Sequence, residues 1–266
     1  MIYLKFRIAG NLFAVPVNNI SESIRYSAIT KVPKLDKHIL GVMNLRGKIV
    51  PVIDTRTRMG LTSLREERKA MIDQLKLREQ EHINWVQTLE NEVNQERKIS
   101  VQRDPTLCNF GKWYIPYMKQ LEETTQGKNN SDNVLTGLLR SFNEPHKKIH
   151  SVANDADEFM KAGDIKSAKK LIEQTKDTTL KLMVKLFGSL YDALESQSQR
   201  DIIVIAKIDS TKFGFTVDAI DSTFEIDELK EAPIPTELVQ KMCIKADSAI
   251  QIMNLKALIN SHKIAA

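Results

Sequence analysis

The fold of this chain is decided first by the stretch Asn44-Leu45-Arg46-Gly47-Lys48-Ile49-Val50-Pro51-Val52-Ile53-Asp54. Arg46-Gly47 is typical of a turn, and the apolar run Ile49 to Ile53 that follows it is typical of a β-strand. A short apolar strand directly after a turn favours a small β-barrel.

The residues on both sides of this stretch also show the residue patterns of β-strands. Leu4, Phe6 and Ile8 alternate with charged residues, and a Gly10-Asn11 turn leads into a second apolar segment. This pattern predicts an antiparallel hairpin with one buried face. Further strands are predicted late in the chain, at 202–208, 213–217 and 250–255.

A helical region separates these two β-rich parts. Ser63 is followed by Glu66 and Glu67, and acidic groups in a first turn favour a helix start there. The apolar spacing predicts four helices, at 64–98, 108–122, 133–161 and 164–196. Because their apolar stripes cannot stay exposed, we expect a four-helix bundle.

Composition limits the class of protein. The chain has 266 residues, of which 42% are hydrophobic and 27% charged, as in a soluble globular protein. It has no apolar run of about 18 residues and begins with strand-like sequence, so we expect a cytoplasmic protein without direct membrane insertion. The net charge is +5, but the basic residues are spread among 34 acidic ones, which favours solvated faces over nucleic-acid binding. Two cysteines argue against a structural disulfide.

Four residues of the helical region are candidate metal ligands: His82, Cys108, His146 and His150. His146 and His150 are four apart and share one face of a helix, while His82 occupies the apolar stripe of an earlier helix. One thiolate and three imidazoles would complete a tetrahedral zinc site. The alternative is that the histidines are hydrogen-bonded core residues and the cysteine an inert small hydrophobe.

The same region resembles the chemoreceptor zinc-binding family. The resemblance is carried by Glu81-His82-Ile83-Asn84-Trp85, by Cys108-Asn109-Phe110-Gly111-Lys112-Trp113-Tyr114, and by Pro145-His146-Lys147-Lys148-Ile149-His150. It implies that His82, Cys108, His146 and His150 are the four zinc ligands.

The outer parts of the chain resemble CheW-type coupling proteins of bacterial chemotaxis. The resemblance is carried by Val32-Pro33, by the segment from Gly41 to Asp54, and by Phe213-Gly214-Phe215-Thr216-Val217-Asp218 followed by Ile220. It implies an α+β fold in which a CheW-like pair of small five-stranded β-barrels is interrupted by an antiparallel four-helix bundle. The implied domains are 1–62 and 198–266, which form the CheW-like part, and 63–197, which forms the inserted zinc-binding bundle.

The CheW resemblance also implies partners. That family has no catalytic centre and bridges the cytoplasmic tips of chemoreceptors to the CheA histidine kinase. Ile20, Glu22, Gly41 and Arg46 fall on family positions implicated in partner contact. Each also has a structural interpretation: Ile20 as a core residue, Arg46 with Gly47 as a turn, and Glu22 as the partner of a neighbouring lysine.

The hypothesis is therefore a non-enzymatic adaptor whose inserted bundle senses zinc or oxidants. Four protein ligands leave no open position for activated water, and the Cys108 thiolate is the one oxidisable ligand. Purely structural zinc remains an alternative. A zinc-dependent enzyme, with Glu81 or Glu144 as general base, is a second alternative. The sequence leaves the oligomeric state open, and a homo-oligomer is among the arrangements it allows.

Overall fold

A computed structural model of the chain describes residues 1–26, 28–125, 133–197, 201–245 and 247–260. The chain divides into two compact units. The first joins Met1–Glu67 to Ser196–Ala266, and the second is the continuous segment Arg68–Glu195. None of the described helices is both long enough and apolar enough to cross a membrane.

The first unit is built from β-strands. Its described strands are Ile2–Ile8 (β1), Asn11–Pro16 (β2), Ile20–Arg25 (β3), Ile39–Leu45 (β4), Lys48–Ile53 (β5), Ile202–Ile208 (β6), Thr211–Val217 (β7), Ala219–Glu225 (β8), Lys230–Glu231 (β9), Val239–Lys245 (β10) and Ser248–Met253 (β11). A short helix follows β5 at Thr55–Arg58 (α1), and another follows β11 at Leu255–Ile259 (α8). The predicted strands around the quoted stretch are therefore present.

Each of the two sheets combines strands from both sides of the insertion. One sheet has the order β8-β1-β2-β11-β10-β9, and the other has the order β3-β6-β7-β5-β4. The pairs β1–β8 and β3–β6 are antiparallel, whereas β2–β11 and β5–β7 are parallel. Neither side of the insertion can complete a sheet alone, so the two sides must fold together.

The α+β class is confirmed, but the two closed barrels are not. Among the described residues, each sheet keeps two end strands. In the second sheet the ends approach each other through an isolated bridge between Thr30 and Val42 and through an ion pair of 2.8 Å between Arg46 and Glu22. A continuous ladder does not form after Thr30, because Pro33 has no N–H to donate and Lys34 has a φ of 65°.

The same local structure, a strand followed by a capped short helix, occurs on both sides of the insertion. Asp54 follows β5, and its carboxylate accepts a hydrogen bond from the Thr57 N–H at the start of α1. Asn254 follows β11, and its side chain accepts hydrogen bonds from the N–H groups of Lys256 and Ala257 at the start of α8. The last residue of the opening stretch is therefore a helix N-cap.

The second unit is helical. Its helices are Leu64–Asn94 (α2, which begins in the first unit), Asn109–Thr125 (α3), Asn133–Arg140 (α4), Asn143–Lys161 (α5), Ile165–Thr175 (α6) and Lys181–Gln197 (α7). The predicted start of α2 is confirmed as a capping box, since Ser63 Oγ accepts from the Glu66 N–H and the Glu66 carboxylate accepts from the Ser63 N–H.

Two of the predicted helices are interrupted. The single helix predicted at 133–161 is two helices, α4 and α5, because Pro145 has no N–H for an intrahelical hydrogen bond and is tolerated only in a first turn. The helix predicted at 164–196 contains a π-helical turn at Lys176–Leu180. The buried stripe continues through this turn, from Thr175 and Thr179 to Met183 and Phe187, while Leu182 is 47% exposed. The antiparallel four-helix arrangement is therefore not confirmed in its predicted form.

Candidate metal centre

The helical unit brings the four predicted ligands into one cluster. His82 comes from α2, Cys108 directly precedes α3, and His146 and His150 come from α5. One ligand atom from each residue lies within 4.8 Å of the corresponding atoms of the others. The three histidines are buried, and Cys108 is half-buried. Cys108 Sγ lies 3.1 Å from His146 Nε2, a separation that a metal ion between the two atoms would widen.

Two of the histidines have a defined tautomer. His82 Nδ1 lies 2.7 Å from the Arg78 carbonyl oxygen, and His150 Nδ1 lies 2.8 Å from the Gln102 carbonyl oxygen. Because a carbonyl oxygen only accepts, both Nδ1 atoms carry the proton and both Nε2 atoms carry a lone pair. Within the described part of the chain, these two Nε2 atoms are buried without a hydrogen-bond partner. A metal ion satisfies such atoms, and metal-bound histidines usually donate their other nitrogen in this way.

Local backbone geometry explains the spacing of the cysteine motif. Cys108 lies at the N-terminus of α3, where its carbonyl accepts from the Lys112 N–H and its Sγ accepts from the Gly111 N–H at 3.2 Å. A Cβ atom at Gly111 would lie far inside contact distance of the Pro105 carbonyl oxygen. Glycine is therefore required three residues after Cys108, since only glycine lets the preceding loop pack this closely against α3.

The electrostatics of the cluster favour neutral imidazoles. Burial lowers the pKa of His82, His146 and His150, and the neighbouring histidines contribute to lowering that of His146 to about 3. The imidazoles are then neutral near pH 7, which is the form that binds metal. Burial raises the pKa of the Cys108 thiol, partly offset by the N–H groups of Gly111 and Phe110. A divalent cation next to the sulfur would deprotonate it.

The donor set fits zinc. Thiolate sulfur and imidazole nitrogen are both ligands that Zn²⁺ prefers, and four of them would fill a tetrahedral coordination sphere. Of the two candidate general bases, Glu81 is bound by Arg78 at 2.9 Å and by Asn109 at 2.9 Å. The other, Glu144, is exposed and lies 3.6 Å from Lys147.

An aromatic cluster packs against these ligands. The Phe110 ring lies 4.9 Å from the His146 ring and 5.6 Å from the His82 ring, measured between centroids. Phe142 and Phe187 pack against Phe110 and against each other. These contacts keep the surroundings of the ligands apolar, which accounts for the lowered pKa values of the imidazoles.

The predicted partner-contact residues lie in the first unit and have mixed environments. Arg46 occupies the turn between β4 and β5, with a φ of 52°, and its side chain is 81% exposed. It pairs with Glu22 on β3, so the partner of Glu22 is this arginine and not a lysine. Ile20 is half-buried against the core. Gly41 is buried with a φ of 138°, and a Cβ there would overlap the Thr30 carbonyl oxygen. Gly41 is therefore required by the fold itself.

Sequence reasoning missed an ion-pair network in the first unit that is centred on the buried Arg56. Arg56 of α1 binds Asp218 through two nitrogens, at 2.7 and 2.9 Å, and binds Glu67 at 2.7 Å. Asp218 also accepts from the Ala9 N–H. Arg56 lies outside every alternating or helical pattern, so periodicity gives no signal for it.

The fold and the cluster define a two-sheet protein that carries a candidate metal centre on inserted helices. Comparison with known families finds two that match segments of the chain. Residues 3–93 match the CheW-like domain, and residues 82–156 match the chemoreceptor zinc-binding domain. The chain thus combines a CheW-like domain with a chemoreceptor zinc-binding domain. The residues after 156 lie beyond both matched ranges, and their strands join the same two sheets.

Individual relatives are chemotaxis proteins. The chain is 33% identical over 66 residues to the chemotaxis protein CheW of Helicobacter pylori, covering 25% of this chain and 40% of the relative. It is 28% identical over 100 residues to CheW of Bacillus subtilis, covering 38% and 64%. It is 38% identical over 69 residues to CheW of Thermotoga maritima, covering 26% and 46%. In each case the chain spans less than two thirds of the relative's length.

A solved structure, that of the scaffolding protein TtCheW from Thermoanaerobacter tengcongensis, aligns with this chain at a TM-score of 0.44 and 16% identity. The alignment covers 98% of this chain and 93% of the other.

Proposed function

We propose that this protein is a chemotaxis adaptor in the cytoplasm that couples the tips of chemoreceptors to a CheA-type histidine kinase. We further propose that its inserted helices bind zinc and adjust this coupling. The observation that carries the proposal is the cluster of three histidines and one cysteine, with ligand atoms within 4.8 Å of one another, in a chain that also matches the CheW-like domain. The adaptor binds its partners through protein surfaces, without nucleic acid and without entering the membrane.

The proposed domains are 1–62 with 198–266, forming the CheW-like part, and 63–197, forming the insertion. The strand pairings across the insertion support one CheW-like domain built from both sides. In this proposal the CheW-like part is a pair of five-stranded barrels, and the insertion is an antiparallel four-helix bundle.

The zinc is proposed to be sensory. Cys108 is half-buried, so an oxidant can reach its sulfur more easily than the buried imidazoles. Oxidation of the thiolate would remove the one negatively charged ligand and weaken the site. The second candidate is structural zinc. It is favoured by the burial of the three histidines within the aromatic core of the helical unit.

Metal content is the first test. The purified protein, prepared without chelator, is analysed for metal beside Cys108→Ala and His146→Ala. We expect about one zinc per chain in the wild type, as for a four-ligand site, and a clear loss in both variants. His38→Ala is the matched control, because His38 lies in the first unit and is expected to leave zinc content unchanged. A folded wild type without zinc would refute the zinc site.

A reconstituted coupling assay separates sensory from structural zinc. Receptor fragments, kinase and this protein are combined, and kinase autophosphorylation is measured with zinc-loaded, zinc-free and oxidised protein. Sensory zinc predicts that coupling changes while circular dichroism shows the helices still folded. If the helices unfold when zinc is removed, the structural candidate is correct. If the helices stay folded and kinase autophosphorylation is the same with zinc-loaded, zinc-free and oxidised protein, the sensory role is refuted.

The proposed partner surface includes Ile20, Glu22, Gly41 and Arg46. Glu22→Arg, Arg46→Glu and the double variant test it, because the double variant restores the ion pair with reversed polarity. If these charges face a partner, coupling is lost in all three. If they only stabilise the sheet, the double variant recovers coupling. Lys241→Glu on β10 is an exposed control in the other sheet.

A further inference from the structure

The rings of His82 and His150 are each oriented by a hydrogen bond from Nδ1 to a backbone carbonyl, but the two carbonyls lie in different kinds of structure. The acceptor for His82 Nδ1 is the Arg78 carbonyl, four residues earlier in the same helix, so α2 itself fixes it. The acceptor for His150 Nδ1 is the Gln102 carbonyl, which belongs to the irregular segment between α2 and α3. A carbonyl in an irregular segment needs contacts from elsewhere to hold its direction.

Trp85 supplies that contact. Its indole Nε1–H donates to the same Gln102 carbonyl oxygen at 2.9 Å, while His150 Nδ1 lies 2.8 Å from it. A carbonyl oxygen has two lone pairs, so both donors can be accommodated at once. The Trp85 ring also lies 5.0 Å from the His150 ring, between centroids. Trp85 therefore contacts His150 directly and also holds the hydrogen-bond acceptor of His150.

Other hydrogen bonds restrain the backbone next to Gln102, but they do not involve the Gln102 carbonyl oxygen. Arg103 reaches Asp157 of α5 at 3.1 Å, and the Gln102 side chain accepts from the Asp104 N–H at 3.0 Å. They restrict where the segment lies. Among the described residues, the Trp85 indole and His150 are the groups whose side chains hydrogen-bond to the Gln102 carbonyl oxygen.

We infer that Trp85 is a positioning residue for metal binding, which acts through the Gln102 carbonyl to present His150 Nε2 to zinc. This inference rests on the proposed zinc site. Removing the indole N–H releases one of the two bonds that fix the carbonyl, so His150 samples orientations that do not bind. Outer groups that orient a metal ligand typically change metal affinity by about 10- to 100-fold.

The test is Trp85→Phe, which keeps an aromatic ring but removes the N–H donor. Zinc affinity is measured by competition with a chromophoric chelator, and we expect it to fall by roughly tenfold. Tyr191→Phe is the matched control, because it also keeps an aromatic ring and removes one side-chain hydrogen-bond donor of the helical unit, the hydroxyl that donates to Glu79. Its zinc affinity is expected to remain that of the wild type.

An NMR readout separates positioning from general destabilisation. In the zinc-loaded wild type, the Nδ1–H protons of His82 and His150 are both held in hydrogen bonds and should exchange slowly with water. In Trp85→Phe we expect fast exchange for His150 and unchanged slow exchange for His82. Loss of both signals would indicate loosening of the whole unit and overturn the inference.

The remaining outcomes are also decisive. Wild-type zinc affinity in Trp85→Phe with a retained His150 signal overturns the positioning role and leaves the zinc site intact. Failure of the wild type itself to bind zinc overturns the proposed site, and the inference with it. The two failures are distinguishable, because only the second appears in the unsubstituted protein.

Discussion

Replacing Gly111 with alanine gives a sharp test of the packing that positions Cys108. In a helix interior, alanine is more favourable than glycine by about 1 kcal/mol. At Gly111 the added Cβ would overlap the Pro105 carbonyl oxygen and lie 3.2 Å from Thr106 Cα, so backbone must move. Overpacking of this kind costs about 1 to 3 kcal/mol. Because the overlap is with backbone, we expect the upper part of that range and a net destabilisation of about 2 kcal/mol.

Gly188→Ala is the matched control. Gly188 lies inside α7, and nothing lies within 4 Å of a Cβ built there. The same chemical change is therefore expected to stabilise the helical unit by up to about 1 kcal/mol. The two variants should differ in sign, as measured by urea denaturation followed by far-UV circular dichroism.

The Gly111→Ala variant should also bind zinc more weakly. Cys108 Sγ accepts from the Gly111 N–H at 3.2 Å and lies 3.3 Å from the Pro105 carbonyl oxygen, so movement of either segment displaces the sulfur. If Gly111→Ala were as stable as Gly188→Ala and bound zinc as the wild type does, the packing argument would be wrong.

Three further predictions concern the pH dependence of stability, a partly buried ion pair and a buried glycine. Folded His146 has its pKa lowered to about 3, while the unfolded residue titrates near 6.5, so the unfolded chain binds more protons between these values. The metal-free protein should lose stability as pH falls from about 6.5 towards 3, and a urea midpoint independent of pH in this range would contradict this. Arg56→Ala removes the cation that binds the partly buried Asp218 carboxylate and should cost about 2 kcal/mol by thermal denaturation, and an unchanged melting temperature would count against it. Gly41→Ala should unfold the first unit, because the added Cβ would overlap the Thr30 carbonyl oxygen, and wild-type stability of this variant would show that the fold does not require glycine there.

The clustering of the candidate ligands could be predicted in part because the signals of the three histidines are local. The four-residue spacing of His146 and His150 and the position of His82 on an apolar stripe both follow from the helical repeat. The support of His150 could not be predicted in this way. Gln102 acts through its backbone carbonyl, which every residue has, so its side chain gives no signal.

The two interruptions of the predicted helices differ in how clearly the sequence indicates them. Pro145 is a helix breaker, and its place inside the predicted helix at 133–161 was a usable signal for the break before α5. The π-helical turn at Lys176–Leu180 has no comparable marker, since Thr175 and Thr178 bind carbonyls four residues earlier and also occur in regular helices.

The pairing of the sheets was the least predictable feature of the first unit. Alternation of apolar residues tells which face of a strand is buried, but it does not tell which strand lies beside it. The parallel pairs β5–β7 and β2–β11 join strands from opposite sides of the insertion. No local pattern reports such pairs.

The interlocked sheets impose an order on events at the ribosome. Strands β1 to β5 emerge first, yet β1, β2 and β5 each lack one of their two neighbours, and β3 lacks its neighbour, until β6 and later strands have been synthesised. The segment Arg68–Glu195 is continuous and forms its own compact unit, so all of it is synthesised before β6 to β11 are available. During that interval the free edges of these strands expose backbone N–H and C=O groups that can pair with other chains, so a long insertion between sheet partners prolongs the exposure to aggregation.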